Sequence, residues 1–143
     1  MKGTWDDLNR RLTGAILALD LDDGLVIRER PRESPRRGLF GGRRAAASAP
    51  RRYVQVTAAP RVLIAECVGS TSFGGEWEMG PETEAALLAQ GWEKPWSPDY
   101  RTFSREAPLT SANRIALATV RALKTLGCEV ADLEVELVHE EPA

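Results

Sequence analysis

The sequence predicts an α+β fold, an antiparallel sheet with helices packed on one of its faces, because it contains two different hydrophobic periods. Apolar residues recur every three or four positions near the N-terminus and again before Gly127, which is typical of amphipathic helices. Residues 53–57 and 133–138 alternate between apolar and polar, which is typical of half-buried strands. The predicted order of elements is α-β-β-β-α-(β)-α-β.

The first helix is predicted to begin after Thr4, whose hydroxyl can accept a hydrogen bond from the backbone of the first turn. Asp6 and Asp7 follow where the helix dipole favours acids. The apolar face comprises Trp5, Leu8, Leu12, Ala15, Ile16 and Leu19. We expect the helix to end near Leu21, because the turn-forming residues 22–24 come next and precede a strand that begins at Leu25.

Two consecutive strands are predicted at residues 53–57 and 62–68, and the turn between them contains Pro60. A turn this short favours an antiparallel hairpin. The second segment is the more continuously apolar of the two, so it is expected to lie more centrally in the sheet.

A short helix is predicted from Pro81, which suits a first turn, to a stop at Gly91, which can adopt the left-handed conformation that ends helices. Pro95 prevents the helix from restarting. Trp92 is expected to be a core residue that folds back onto the apolar face of this helix, formed by Ala85, Leu88 and Ala89.

The C-terminal third is predicted to hold a short strand around Tyr100 and Phe103 and a helix that ends at Gly127. Thr110 or Ser111 is expected to cap that helix. The final strand, at residues 133–138, has apolar residues on one side and acids on the other, so Glu134 and Glu136 are expected to point to solvent.

Length and composition predict a single domain spanning residues 1–143, with 43% apolar residues. No run approaches the 18 or so apolar residues of a membrane span, and the N-terminus lacks the apolar core of a signal peptide. Cys67 and Cys128 are isolated thiols without CxxC spacing, which is typical of reduced cysteines in a cytoplasmic protein.

Positive charge is concentrated in residues 28–52, where nine arginines and two glutamates give a net charge of +7 in a chain whose total is −2. Within that stretch, residues 31–50 are rich in Pro, Gly and Ala and are predicted to form a basic flexible loop. It could neutralise phosphates of a nucleic acid, dock on an acidic protein surface, or remain solvated without a partner. The candidate partner-binding arginines are Arg36, Arg37, Arg43 and Arg44.

Two tryptophans, Trp77 and Trp96, are flanked by polar or charged residues and are further candidates for partner contact. Exposed tryptophans are enriched at interfaces. Each could equally pack against its own loop, so both interpretations stay open.

Enzymatic chemistry is not indicated. His139 is the single histidine and is expected to lie in a frayed acidic tail, so neither cysteine has a base within a recognisable catalytic spacing. The acids Glu76 and Glu78 have no supporting site residues, and Cys67, Cys128 and His139 are too few and too widely spaced for a zinc site. We predict no catalytic residue, no metal and no cofactor.

Several motifs stand in order along the chain: Trp5 in the first helix, Tyr53-Val54-Gln55, Ala65-Glu66-Cys67-Val68 with the loop to Phe73, Gln90-Gly91-Trp92-Glu93-Lys94-Pro95, Phe103-Ser104-Arg105, and the helix at 116–126. This ordered set resembles the TY-Chap family, actinobacterial domains related to type III secretion chaperones and YbjN-type proteins. The resemblance covers most of residues 4–138. Two features depart from it: segment 31–50 is longer and more basic than the usual strand connection, and Gln90 stands where Leu is more common.

The resemblance implies a type III secretion chaperone-like fold that binds protein, often as a dimer. Our leading hypothesis is a non-enzymatic, cytoplasmic module that engages a client protein through a sheet face or an edge strand. The alternative is a nucleic-acid-associated protein that acts through residues 28–52. A third class, an unrecognised enzyme, would require a pocket with convergent polar groups.

Overall fold

The computed structural model describes residues 3–30, 52–68, 80–95 and 102–139. Three helices and five strands occupy these ranges, together with a 3₁₀ turn at Val130–Asp132. In chain order the elements are α1 (Trp5–Leu17), β1 (Gly24–Glu29), β2 (Tyr53–Ala58), β3 (Val62–Val68), α2 (Pro81–Ala89), β4 (Thr102–Pro108), α3 (Ala112–Thr125) and β5 (Leu133–Val138). The prediction of an α+β fold is confirmed.

The five strands form one antiparallel sheet in the order β4-β3-β2-β1-β5. The predicted hairpin joins β2 to β3, with Val54 opposite Cys67. The C-terminal strand returns to lie beside β1, where Val138 is opposite Gly24. Because of this return, β2 is the middle strand, and the expectation that β3 lies more centrally than β2 is wrong.

The helices cover one face of the sheet. Every second residue along each strand points to that face, and most of these residues are apolar. Helix α3 packs against β2, β3 and β4 and also against α1. The strand residues buried beneath the helices are Leu25, Ile27, Val54, Val56, Ala58, Leu63, Ala65, Cys67, Phe103 and Leu133. The opposite face carries half-buried and exposed residues such as Gln55, Ile64 and Glu106.

Helix α1 begins as predicted. The hydroxyl of Thr4 accepts a hydrogen bond from the backbone N–H of Asp7 at 3.2 Å, and the Asp7 carboxylate accepts one from the backbone N–H of Thr4 at 2.9 Å. The helix ends at Leu17, four residues before the predicted end at Leu21. The chain then crosses to the sheet, where the N–H of Asp22 donates to the carbonyl oxygen of Ala58 in β2 at 2.7 Å, and this leaves Leu17 and Leu21 65% and 57% exposed.

Helix α2 confirms the predicted stop but not the predicted packing. Gly91 has a φ of +103°, and the N–H of Trp92 donates back to the carbonyl oxygen of Leu87 at 3.1 Å. Trp92 is buried, with 2% of its surface exposed. The expectation that Trp92 folds onto Ala85, Leu88 and Ala89 is wrong, because α2 turns those residues outward and buries only Leu87.

The C-terminal elements follow the prediction in outline. Ser111, not Thr110, precedes the first turn of α3, and its carbonyl oxygen accepts from Ile115. Glu134 and Glu136 lie on the sheet face opposite the helices, where both accept hydrogen bonds from Arg28. No helix within the described ranges is long and apolar enough to cross a membrane. The predicted loop at 31–50 lies outside the described residues.

Candidate functional site

The C-terminal ends of α2 and α3 are built in the same way. Each helix is followed by a glycine with positive φ, Gly91 at +103° and Gly127 at +90°. The residue after each glycine donates its backbone N–H to the last helical turn, a bond of 3.0 Å from Cys128 to Leu123 in α3. At each end an arginine in a strand, or directly before one, donates to the carbonyl oxygen of the residue that precedes the glycine. Helix geometry leaves that oxygen without a partner inside the helix.

At the end of α3 the arginine is Arg52, which directly precedes β2. Its Nη1 donates to the carbonyl oxygen of Leu126, and its Nε donates to the Glu29 carboxylate at 2.9 Å. The same carboxylate oxygen also accepts from the backbone N–H of Arg52 at 3.2 Å. This guanidinium is therefore neutralised inside the protein.

At the end of α2 the arginine is Arg105 in β4. Its Nη1 donates to the carbonyl oxygen of Gln90 at 2.8 Å, and its guanidinium lies 5.7 Å from the centre of the Trp92 ring, in a cation–π contact. Among the residues that the structure describes, no carboxylate pairs with Arg105. Its Nε–H is shielded from solvent and has no hydrogen-bond partner.

A cleft of about 160 Å³ opens beside Arg105, between the end of α2, strand β4 and helix α3. Its α3 wall is formed by residues spaced three, four and seven positions apart, which share one helix face. The lining residues are Gln90, Arg105, Arg114, Leu117, Ala118 and Arg121. Leu117 is 41% exposed although it is apolar.

The charge in this cleft is uncompensated by neighbouring described residues. Arg114 and Arg121 are exposed and make no ion pair with any acid in the described ranges. Together with Arg105 they place three arginines in the lining of one small cleft. Arginine presents planar pairs of donors that match carboxylate or phosphate oxygens, so an anion is the class of ligand that suits this lining.

Gln90 supplies the complementary acceptor. Its Nε2 donates to the hydroxyl of Thr125 at 2.8 Å, while its Oε1 is shielded from solvent and has no partner. Two residues that line the cleft therefore carry enclosed polar atoms without partners, a donor on Arg105 and an acceptor on Gln90. Buried polar atoms without partners raise the free energy of the native state, so a ligand that satisfies them gains affinity.

The partner-binding residues predicted from the sequence, Arg36, Arg37, Arg43, Arg44, Trp77 and Trp96, all lie outside the described residues. The two ends of the arginine-rich segment 28–52 are described, and both are engaged within the protein. Arg28 donates to Glu134 at 3.1 Å and to Glu136 at 2.5 Å, which raises the pKa of the Arg28 guanidinium, chiefly through the bond to Glu136. Arg52 pairs with Glu29.

Sequence reasoning did not identify the cleft. One signal was present: Arg114 and Arg121 stand seven residues apart with Leu117 between them, so they share a face of the predicted helix. Nothing in the sequence placed Arg105 opposite that face, since the contact joins β4 to α3 across the layer interface.

Three further groups that could take part in chemistry are buried or paired: Cys67, Cys128 and His139. Burial raises the pKa of both the Cys67 and Cys128 thiols to about 12, so both are protonated. His139 was expected to be frayed, yet its Nδ1 lies 3.0 Å from the carboxylate of the buried Asp23, because β5 ends beside the start of β1. The described ranges contain no cluster of three or more His, Cys, Asp or Glu side chains able to hold a metal ion.

A family model matches residues 1–135 of the chain. It is TY-Chap3, described as "T3SS (YopN, CesT) and YbjN peptide-binding chaperone 3". Comparison with curated proteins and comparison with solved structures each found no match. The match spans nearly the whole chain, including every helix and most strands described above, and the chain therefore belongs to the TY-Chap3 family of peptide-binding chaperones.

Proposed function

We propose that this protein is a non-enzymatic, chaperone-like module that binds a peptide segment of a client protein. The observation that carries the proposal is the match of residues 1–135 to a family described as peptide-binding chaperones. Catalysis is not required for this activity, because holding a client segment needs complementary surface and hydrogen-bonding groups only.

The cleft beside Arg105 is our candidate for the peptide contact. Every peptide residue except proline carries one backbone donor and one acceptor. Gln90 and Arg105, which line the cleft, carry an Oε1 and an Nε–H without partners, and these atoms reach a peptide once the two side chains rotate toward the cleft. The exposed Leu117 adds an apolar contact in the same wall. Leu88 on α2 is 37% exposed and is a second apolar side chain available to a client.

The test is selection of peptides from a randomised 12-residue display library on the immobilised, intact chain. We expect enriched peptides, and titration of one of them into isotope-labelled protein is expected to shift the backbone amide signals of Gln90, Arg105 and Leu117. Shifts confined to another region would refute the cleft as the contact. The absence of any enrichment over an uncoated surface would refute peptide binding itself.

The nucleic-acid alternative stays a prediction, because most of residues 28–52 lie outside the described part of the chain. The structure offers a precise control for it. Glu29 donates its N–H to the carbonyl oxygen of Arg52 at 3.1 Å, so replacing residues 30–51 with Asn-Gly would close β1 and β2 as a two-residue hairpin. We expect this variant to keep peptide binding; loss of salt-sensitive DNA or RNA binding in it would favour the alternative.

We further propose that the protein acts in the cytoplasm and can form a homodimer through β5, which is an edge strand. The backbone N–H of Arg30 donates to the carbonyl oxygen of Asp132, and along an antiparallel pair every second residue bonds to the partner strand in this way. The residues between them, including Val135 and Leu137, direct their backbone N–H and C=O groups away from β1. Leu137 is 50% exposed and Val138 is 41% exposed. Sedimentation of the wild type and of Leu137→Lys tests this: a dimer that persists in the variant would refute pairing through β5.

A further inference from the structure

We propose that the cleft lined by Arg105, Arg114 and Arg121 selects a carboxylate of the bound peptide, so that the protein recognises client segments containing an acidic residue. This inference rests on the proposed function, since it names the chemistry of the peptide that the cleft binds. It concerns the described residues alone and is independent of the arginines at positions 36–44.

The protein itself contains the template for this interaction. Arg52 and Arg105 both use Nη1 to cap the end of a helix, but Arg52 also gives its Nε–H to the carboxylate of Glu29. On Arg105 the corresponding Nε–H has no partner. This N–H is shielded from solvent, so the Arg105 side chain must rotate toward the cleft before a carboxylate there completes the arrangement that Glu29 completes on Arg52.

The two remaining arginines set the charge preference. Arg114 and Arg121 are exposed at the cleft and have no carboxylate partner among residues 3–30, 52–68, 80–95 and 102–139. Each can donate a pair of hydrogen bonds to an entering carboxylate, and Arg105 lines the same cleft. A neutral side chain would leave three guanidinium charges uncompensated, so an uncharged peptide is expected to bind more weakly.

The neighbouring groups favour an acidic residue in a peptide over a free phosphate. The unpartnered Oε1 of Gln90 is an acceptor, and a backbone N–H next to the acidic residue of a peptide supplies a donor to it. The exposed Leu117 favours an apolar residue next to the acidic one. Both features match a peptide in which an acidic and an apolar residue are close together.

The experiment repeats the library selection on three forms of the intact chain: the wild type, Arg114→Gln/Arg121→Gln, and Arg11→Gln/Arg61→Gln. The last pair removes the same charge from exposed arginines outside the cleft. We expect Asp and Glu to be enriched with the wild type and with the control, and this enrichment to disappear with the cleft variant.

A selected peptide is then synthesised with its acidic residue or with the matching amide, each with a blocked C-terminus, and a third version carries the amide and a free C-terminus. We expect the acidic peptide to bind the wild type about tenfold more tightly than its blocked amide, and this ratio to fall to about one in the cleft variant. If the amide peptide with a free C-terminus binds as tightly as the acidic peptide, a carboxylate at a chain end also satisfies the cleft. If neither the acidic side chain nor the free C-terminus makes binding tighter than that of the blocked amide, the inference is overturned.

The two proposals fail in different ways. If no peptide is enriched on any form, the proposed peptide-binding function is wrong. If peptides are enriched equally on the wild type and the cleft variant, without a preference for Asp or Glu, peptide binding stands and carboxylate selection by the cleft is wrong. Inorganic phosphate that competes with the peptides while acidic and amide peptides bind equally would also overturn the inference.

Discussion

The ends of helices α2 and α3 share one backbone design and differ in one group. Both stop at a glycine with positive φ, and both have a carbonyl oxygen capped by an arginine, Arg105 for α2 and Arg52 for α3. Beside Arg52 the protein supplies the carboxylate of Glu29. Beside Arg105 the described residues supply the ring of Trp92 and an open cleft with two more arginines.

This difference separates a structural arginine from a candidate binding arginine. A guanidinium that donates to a carboxylate and a carbonyl oxygen of the protein, as Arg52 does, stabilises the fold and has its charge already compensated. A guanidinium that has an unpartnered donor and lies beside other unpaired cations is available to an anion. Sequence alone does not distinguish the two, since both residues are arginines next to or within a strand.

The largest expected effect comes from removing the paired arginine. Arg52→Met keeps the apolar stem but leaves the largely buried Glu29 carboxylate without its cation, so we expect the free energy of unfolding to fall by about 2–3 kcal/mol. The matched variant Arg105→Met should cost about 1 kcal/mol, because it leaves no carboxylate unpaired. Urea denaturation measures both, and equal losses would contradict the distinction between the two ends.

The two glycines provide the next comparison. Alanine at either position is strained by the positive φ, at a cost of about 1–2 kcal/mol. At Gly127 the added Cβ would also lie 2.9 Å from Nη1 of Arg52, whereas at Gly91 the nearest atom, Nη1 of Arg105, is 3.4 Å away. We therefore expect Gly127→Ala to lower the thermal midpoint more than Gly91→Ala, and the reverse order would contradict this account.

A smaller effect separates the half-buried Arg28 from the exposed Arg114. Arg28→Gln removes the two ion pairs to Glu134 and Glu136, and because these pairs are partly exposed we expect a loss of about 0.5–1 kcal/mol that shrinks in 1 M salt. Arg114→Gln should lose no stability, since it breaks no ion pair with the described residues. A comparable loss in Arg114→Gln would indicate that Arg114 has a structural role.

The smallest effect concerns the opposite kind of helix end, the N-terminus of α1. A hydrogen bond from the backbone N–H of Thr4 lowers the pKa of the Asp7 carboxyl below its usual 3.8, and a hydrogen bond from the Arg10 side chain lowers it further. A lowered carboxyl pKa stabilises the fold above the unfolded value and loses that contribution as the pH falls through the folded value. Asp7→Asn should thus be slightly less stable than the wild type at pH 7, and the difference should vanish below the folded pKa.

Thermal midpoints at pH 7, 4 and 2.5 measure this dependence. Asp6→Asn is the matched control, because Asp6 lies in the same first turn but takes no part in the capping box. A difference between Asp7→Asn and the wild type that persists unchanged at pH 2.5 would contradict the assignment of the effect to the Asp7 carboxylate.

Much of the fold was predictable, because the decisive interactions are local. The cap at Thr4, the stop at Gly91 and the hairpin between β2 and β3 each depend on residues within a few positions of one another. The wrong predictions concern features that are determined by an element far away in the chain. Helix α1 ends before Leu21, and β2 is the middle strand because β5 returns to β1.

Periodicity, capping residues and glycine stops are properties of short windows, so the amino-acid sequence was sufficient to establish the α+β class, most elements and the family. The identity of each arginine's partner was decided by the tertiary structure, because Arg52 meets Leu126 and Arg105 meets the α3 face only after the sheet and helices have packed. Electrostatic pairing depends on distances of a few ångströms between segments far apart in the chain. No local pattern encodes those distances, and for this reason the cleft was found in the structure.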